Sequence, residues 1–212
     1  MLISNTIQVM ELLANRPNWL DSIEKETHAC FFYTTEEEFL AIAGPYLQTG
    51  LEKGGQERLL WILPPNYSFA RGKEALETQW GSSVEAHLRR RRLILMPWDR
   101  WYGLEVSIQE LLKRARQLLD ETLSAGFQSL KILTHSPHRS SSYWKDFFLY
   151  EEAFPKRFGR RPVVSLCAYS LIDCPAQAVS SVALNHSFCL IHRGSEWEWL
   201  ENKPVKSSSL TL

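Results

Sequence analysis

Apolar residues in this chain fall into short solid runs separated by longer stretches in which they recur every three or four positions, the alternation of fully buried strands with amphipathic helices. The first run, His28-Ala29-Cys30-Phe31-Phe32-Tyr33, predicts a strand over 28–33; others follow at 58–63 (stopped by Pro64-Pro65), 93–96, 130–133 and 163–169. Between them Thr35-Glu36-Glu37-Glu38 reads as a capping box, with Phe39, Ile42, Ala43, Tyr46 and Leu47 on one face of the helix it opens. Pro45 lies inside that pattern and predicts a kink or a break, and Gly50 with Gly54-Gly55 closes the element. A short helix is expected over 71–80, stopped at Gly81. Ser107 to Glu110 forms a second capping box, ahead of a helix carrying Ile108, Leu111, Leu112, Ala115, Leu118 and Leu119. A helix over about 143–154 carries Phe147, Phe148 and Glu151, and Pro175 opens another with Val179, Val182 and His186 on one stripe. Segments 188–192 and 196–200 flank Arg193-Gly194-Ser195 as a terminal hairpin, and Ile7, Met10 and Leu13 suggest a short helix over 5–14.

Strands alternating with helices predict an α/β fold: a mainly parallel sheet with helices on both faces and a C-terminal antiparallel hairpin. One domain is expected over 1–203, with 1–18 as a helical extension and 204–212 as a flexible tail, within a 212-residue chain. Lys and Arg number 24, as do Asp and Glu, so no charge bias draws the chain to nucleic acid or to a membrane surface. No apolar run approaches the roughly 20 residues that span a bilayer, and the first residues lack a signal-peptide pattern. Cys30, Cys167, Cys174 and Cys189 have no CxxC spacing, which suits reduced thiols in a cytoplasmic protein.

Ligands of open α/β sheets sit outside strand carboxyl ends, so the turn after Tyr33 is the first place to look for chemistry. A phosphate-binding loop there needs glycines and a Lys, whereas Thr34-Thr35-Glu36-Glu37-Glu38 offers three carboxylates that would repel a phosphate. His28 and Cys30 are two apart on one strand, as are Cys167 and Tyr169 on another, so each pair shares a face. If those strands are neighbours the four side chains converge, and His186 can join them. That set suits either buried core residues or a small-molecule pocket; a metal site on Cys30, Cys167 and His186 is the alternative, although close-spaced zinc ligand pairs are missing. Trp101 and Tyr102, with Trp98, follow the third strand and can wall an apolar pocket. Arg89-Arg90-Arg91-Arg92 reads as a solvated approach to a strand or an anion contact, and no G-x-S-x-G elbow supports a hydrolase.

Several of these pieces resemble the MEDS domain, the methanogen/methylotroph DcmR sensory domain. They are His28 to Tyr33, Gly50-Leu51-Glu52-Lys53-Gly54, Trp101-Tyr102, Ala125-Gly126-Phe127, Tyr150-Glu151, Leu166-Cys167-Ala168-Tyr169 and Asn185-His186, in order over residues 19–193. The resemblance implies a RecA/KaiC-like core without a functional P-loop, acting as a non-enzymatic sensor of small organic compounds such as simple hydrocarbon derivatives. It carries ligand-binding roles onto His28, Cys30, Tyr33, Glu151, Cys167, Tyr169 and His186. It implies no catalytic residue and no cofactor. Ser170 stands where the family tends to have an acidic residue. The DNA-binding, PAS or kinase modules usual in relatives are not recognised here, so output is expected through a signalling partner or a homo-oligomer, with no direct contact to nucleic acid or membrane. The competing expectations are a degenerate nucleotide-binding ATPase, a Cys/His metal or redox sensor, and a scaffolding domain.

Overall fold

The structure is a computed structural model that describes Leu20 and residues 28–52, 54, 56–103, 106–136, 141–194 and 196–202. The helix expected over 5–14 and the tail over 204–212 lie outside those residues. In chain order the elements are β1 (His28–Tyr33), α1 (Glu36–Glu52), β2 (Glu57–Ile62), α2 (Phe69–Trp80), α3 (Glu85–Arg89), β3 (Leu93–Met96), α4 (Trp98–Tyr102) and α5 (Ile108–Ser124). They continue with β4 (Ser129–His135), α6 (Ser141–Phe158), β5 (Val163–Ser170), α7 (Ala176–Asn185), β6 (Phe188–Arg193) and β7 (Glu196–Glu201).

All seven strands form one sheet in the order β3-β2-β4-β5-β1-β6-β7, parallel throughout except for the β6–β7 pair. The two-residue side-chain period splits each strand between two cores. Ala29, Phe31 and Tyr33 of β1 with Leu59 and Trp61 of β2 face α1 and α2, whereas Cys30 and Phe32 with Leu60 and Ile62 face α4 to α7. Strands covered on both sides explain why their sequences read as solid apolar runs. The hairpin turns at Gly194, whose φ of 65° suits the tight turn between β6 and β7.

Of the kink or break expected at Pro45, the break does not occur: α1 runs through it as one helix. Neighbouring contacts hold the chain on either side of the proline. Tyr46 donates its hydroxyl to the Ile132 and Val164 carbonyls (3.1 and 3.2 Å), and the Trp80 indole donates to the Gly44 carbonyl at 3.1 Å. Tertiary packing therefore overrides the local cost of the missing N–H. At the other end of α1, the Arg92 guanidinium donates to the carbonyls of Gly50 and Leu51 at 3.2 and 2.6 Å. One arginine of the basic run is thus the C-terminal cap of α1, a cation against the negative end of the helix. Gly50 also lets α1 approach β2, since a Cβ there would collide with Leu59. The segment after β3 that carries Trp98, Trp101 and Tyr102 forms the short helix α4.

Candidate functional site

Four chemically active side chains from different elements meet on the α4–α7 face. His28 is the first residue of β1 and shares a face with Cys30, which pairs in register with Cys167 of β5. Glu151 sits in the middle of α6, on the same stripe as Phe147, Phe154 and Phe158. A carboxylate in that apolar stripe must be paired to be buried. His186 terminates α7: it is the extended C-cap residue (φ −110°, ψ 141°), and its Nδ1–H donates to the Val182 carbonyl at 2.7 Å. Glu151 Oε2 lies 3.2 Å from His28 Nε2 and 3.0 Å from His186 Nε2. Cys167 Sγ is 3.6 Å from His28 Nε2, and the two imidazoles stack with centroids 4.1 Å apart. All four groups are buried. Burial alone would raise the Glu151 carboxyl, but hydrogen bonds and charge from His186 and His28 outweigh it and hold the group down at about 2. The same burial, together with the neighbouring His186, lowers His28 despite its hydrogen bond to Glu151, and pushes the Cys167 thiol well up.

Two pockets lie near this cluster. One, of about 450 Å³, opens between α6 and α7 and is lined by Trp144, Phe148, Leu149, Pro175, Ala178 and Ser181, with Gln177 at its edge. Its wall residue Trp144 stacks on Tyr169 (centroids 6.5 Å apart), and Tyr169 meets His186 edge-on at 5.8 Å. The hydroxyl of Tyr169 and the indole N–H of Trp144 are buried with no hydrogen-bond partner among the described residues. The other pocket, about 180 Å³, sits at the carboxyl ends of β1 and β5 between Tyr33, Glu36, Tyr67, His135 and Ser170. Its walls bond to one another. His135 Nδ1–H donates to the Ser136 carbonyl, which leaves Nε2 to accept from Tyr33. Tyr67 and Arg71 both donate to Glu36.

A family profile described as "MEDS: MEthanogen/methylotroph, DcmR Sensory domain" matches residues 27–187. The chain belongs to the MEDS family. The MEDS assignment is one of a sensory domain and gives the chain a sensory or regulatory role. Comparison with curated proteins returns no match. Among solved structures, the MEDS chain is similar to the crystal structure of flagellar accessory protein FlaH from Methanocaldococcus jannaschii, at 8% identity and a TM-score of 0.50, over 84% of this chain and 77% of that one. At that identity the likeness concerns the fold alone, and it supports the RecA/KaiC-like relation. Among the described residues no helix is long and apolar enough to cross a membrane.

Within this MEDS domain the residues singled out from sequence separate into groups. His28, Cys167 and His186 come together with Glu151, while Tyr169 bridges them to the larger pocket. Cys30 stands two residues from His28 and pairs in register with both Cys167 and Cys189; burial, and then the neighbouring Cys189, push its thiol well up, and its sulfur is not among the four converging ligand atoms. The alternative metal set of Cys30, Cys167 and His186 is therefore not the set whose ligand atoms converge. Tyr33 points to the opposite face, as odd–even alternation along β1 requires, and lines the smaller pocket. Trp101 and Tyr102 are buried on α4, where Tyr102 packs on Phe147 (6.3 Å) and remains outside the tetrad. His186 lies just past the helix it was expected to line. Sequence reading missed His135 as a partner of Tyr33, because β4 extends two residues beyond its apolar run.

Proposed function

We propose that this MEDS domain is a non-enzymatic ligand sensor whose pocket between α6 and α7 takes a small, mainly apolar organic molecule with one polar group, such as a simple hydrocarbon derivative. One observation carries the reading: the Tyr169 hydroxyl is buried without a partner between the pocket wall at Trp144 and the charged tetrad at His186. An orphaned buried hydroxyl costs roughly 1–3 kcal/mol, and Trp144, whose own indole N–H is also unpartnered, lines the pocket and separates it from Tyr169. The pocket volume falls within the roughly 300–1,000 Å³ usual for small-molecule sites, and the cavity at the strand carboxyl ends falls below it. That second cavity also suits phosphate poorly. Glu38 accepts from the Thr34 amide at 2.6 Å and the Thr35 amide at 3.4 Å, occupying the donors a phosphate would need. We accordingly assign the chain no P-loop ATPase activity.

Binding between α6 and α7 changes how those helices sit on the sheet, and a ligand that fits one arrangement better shifts the population toward it. The tetrad couples that change to β1, β5 and the α7–β6 junction. The output passes to a signalling partner or a second copy of the chain, with transcriptional control as one destination. Thermal-shift screening with small alcohols, amines, thiols and halogenated methanes tests this: at least one class raises the melting temperature, and a flat response across the panel would overturn the reading.

A further inference from the structure

We infer that His28, Glu151, Cys167 and His186 form a closed four-coordinate site for one divalent transition ion of the zinc class. The inference rests on the tetrad alone and does not depend on the ligand pocket proposed above.

Three features carry it. First, one atom from each residue lies within 4.8 Å of the other three. The individual separations of 3.2, 3.0 and 3.6 Å match the about 3.3 Å (N to O) and 3.6 Å (N to S) between neighbouring ligands on a tetrahedron with ordinary zinc bond lengths. Second, the hydrogen bonding of His186 leaves a valence to fill. Its Nδ1–H is committed to the Val182 carbonyl, so in the neutral ring Nε2 presents a lone pair to a carboxylate oxygen 3.0 Å away. Two acceptors facing each other in a buried site need a positive centre between them, either a proton on Nε2 or a metal ion, and the ion also engages Cys167 and His28. A metal-bound histidine whose other N–H goes to a backbone carbonyl is the usual way such a ring is held. Third, the charge closes: a divalent ion with one carboxylate, one thiolate and two neutral imidazoles is neutral overall, which a fully buried site requires. Binding expels the Cys167 thiol proton and any proton on Nε2 of either histidine, and leaves no open coordination position. The ion would pin α6 and the end of α7 to β1 and β5, a structural or regulatory role rather than a catalytic one.

The full chain, prepared without a histidine tag and stripped with a chelator, is titrated with Co²⁺ and then with Zn²⁺. One equivalent of Co²⁺ should give the intense ligand-field absorption of a four-coordinate ion and a thiolate-to-cobalt charge-transfer band, both removed by Zn²⁺, with a rise in melting temperature. Cys167→Ser should lose the charge-transfer band and weaken Co²⁺ binding by at least about ten-fold, the lower bound measured even for partners outside the coordination sphere. Cys189→Ser should leave both bands unchanged. Wild-type protein that keeps its folded circular dichroism yet shows neither band in excess Co²⁺ overturns the site, leaving the cluster a hydrogen-bonded ion group only. A charge-transfer band that survives Cys167→Ser and disappears in Cys30→Ser overturns the ligand assignment. Running the small-molecule panel on stripped protein separates the two ideas, because a negative cobalt titration does not alter its outcome.

Discussion

Tyr169 is the residue on which the ligand reading turns, and its energetics are unusual enough to test alone. A buried hydroxyl with no partner contributes nothing to the ligand-free fold, so Tyr169→Phe should leave stability in urea unchanged or raise it by up to about 1–3 kcal/mol. The same substitution should weaken binding of any panel compound that carries a hydrogen-bonding group. Glu151 behaves in the opposite way. With two histidines directed at its carboxylate, Glu151→Ala leaves unpaired buried groups and should cost about 3–5 kcal/mol, read from the urea midpoint. Glu38 supplies a pH dependence. Partial burial works against its ionisation, yet the amides of Thr34 and Thr35 and the His192 ring hold its carboxyl below the ordinary 4.5. A group depressed in the folded state stabilises above its unfolded value, so this contribution is complete at neutral pH and is lost as pH falls below about 4.5. Glu38→Gln should remove that portion of the acid sensitivity and, through the weakened capping box, cost about 1 kcal/mol at pH 7.

At the scale of elements, the helix caps explain where sequence reading succeeded. Thr35 and Glu38 cap α1 reciprocally, and Ser107 accepts from the Glu110 amide at the start of α5; both are local signals with fixed spacing. The cap at the far end of α1 was illegible because Arg92 is forty residues away and reads as part of a basic run. Arg92→Ala should strand two carbonyls and lower stability by about 1.5–3 kcal/mol, with faster hydrogen exchange at the C-terminal turn of α1. The break allowed for at Pro45 fails for the same kind of reason, since the contacts of Tyr46 and Trp80 on either side of it are long-range. The candidate site was legible in part. Two-residue spacing placed His28 with Cys30 and Cys167 with Tyr169, and the strands proved adjacent. Spacing could not say which cysteine joins the cluster: Cys30 pairs across to both Cys167 and Cys189, and it is Cys167 whose sulfur converges with His28, Glu151 and His186. Glu151 entered only through family resemblance, because a lone carboxylate on a helix carries no sequence signal of its buried partners.

At the scale of the molecule, the sheet divides the chain into two cores of different character. The α1–α2 face is an apolar core anchored on Trp61, Tyr46 and Phe39. The opposite face holds the tetrad, the orphaned Tyr169 hydroxyl and the larger pocket, so the proposed ligand would act on α6 and α7. The small cavity at the strand carboxyl ends, the place where open α/β sheets commonly hold ligands, has polar walls tied to one another by the Tyr33–His135 and Glu36–Tyr67–Arg71 contacts. The most direct test compares thermal shifts of the wild type and of Ser181→Phe, in which a half-buried wall residue fills the pocket, across the same compound panel. At least one compound should raise the wild-type melting temperature and leave Ser181→Phe unmoved; equal shifts in both proteins, or none in either, would contradict a ligand site between α6 and α7.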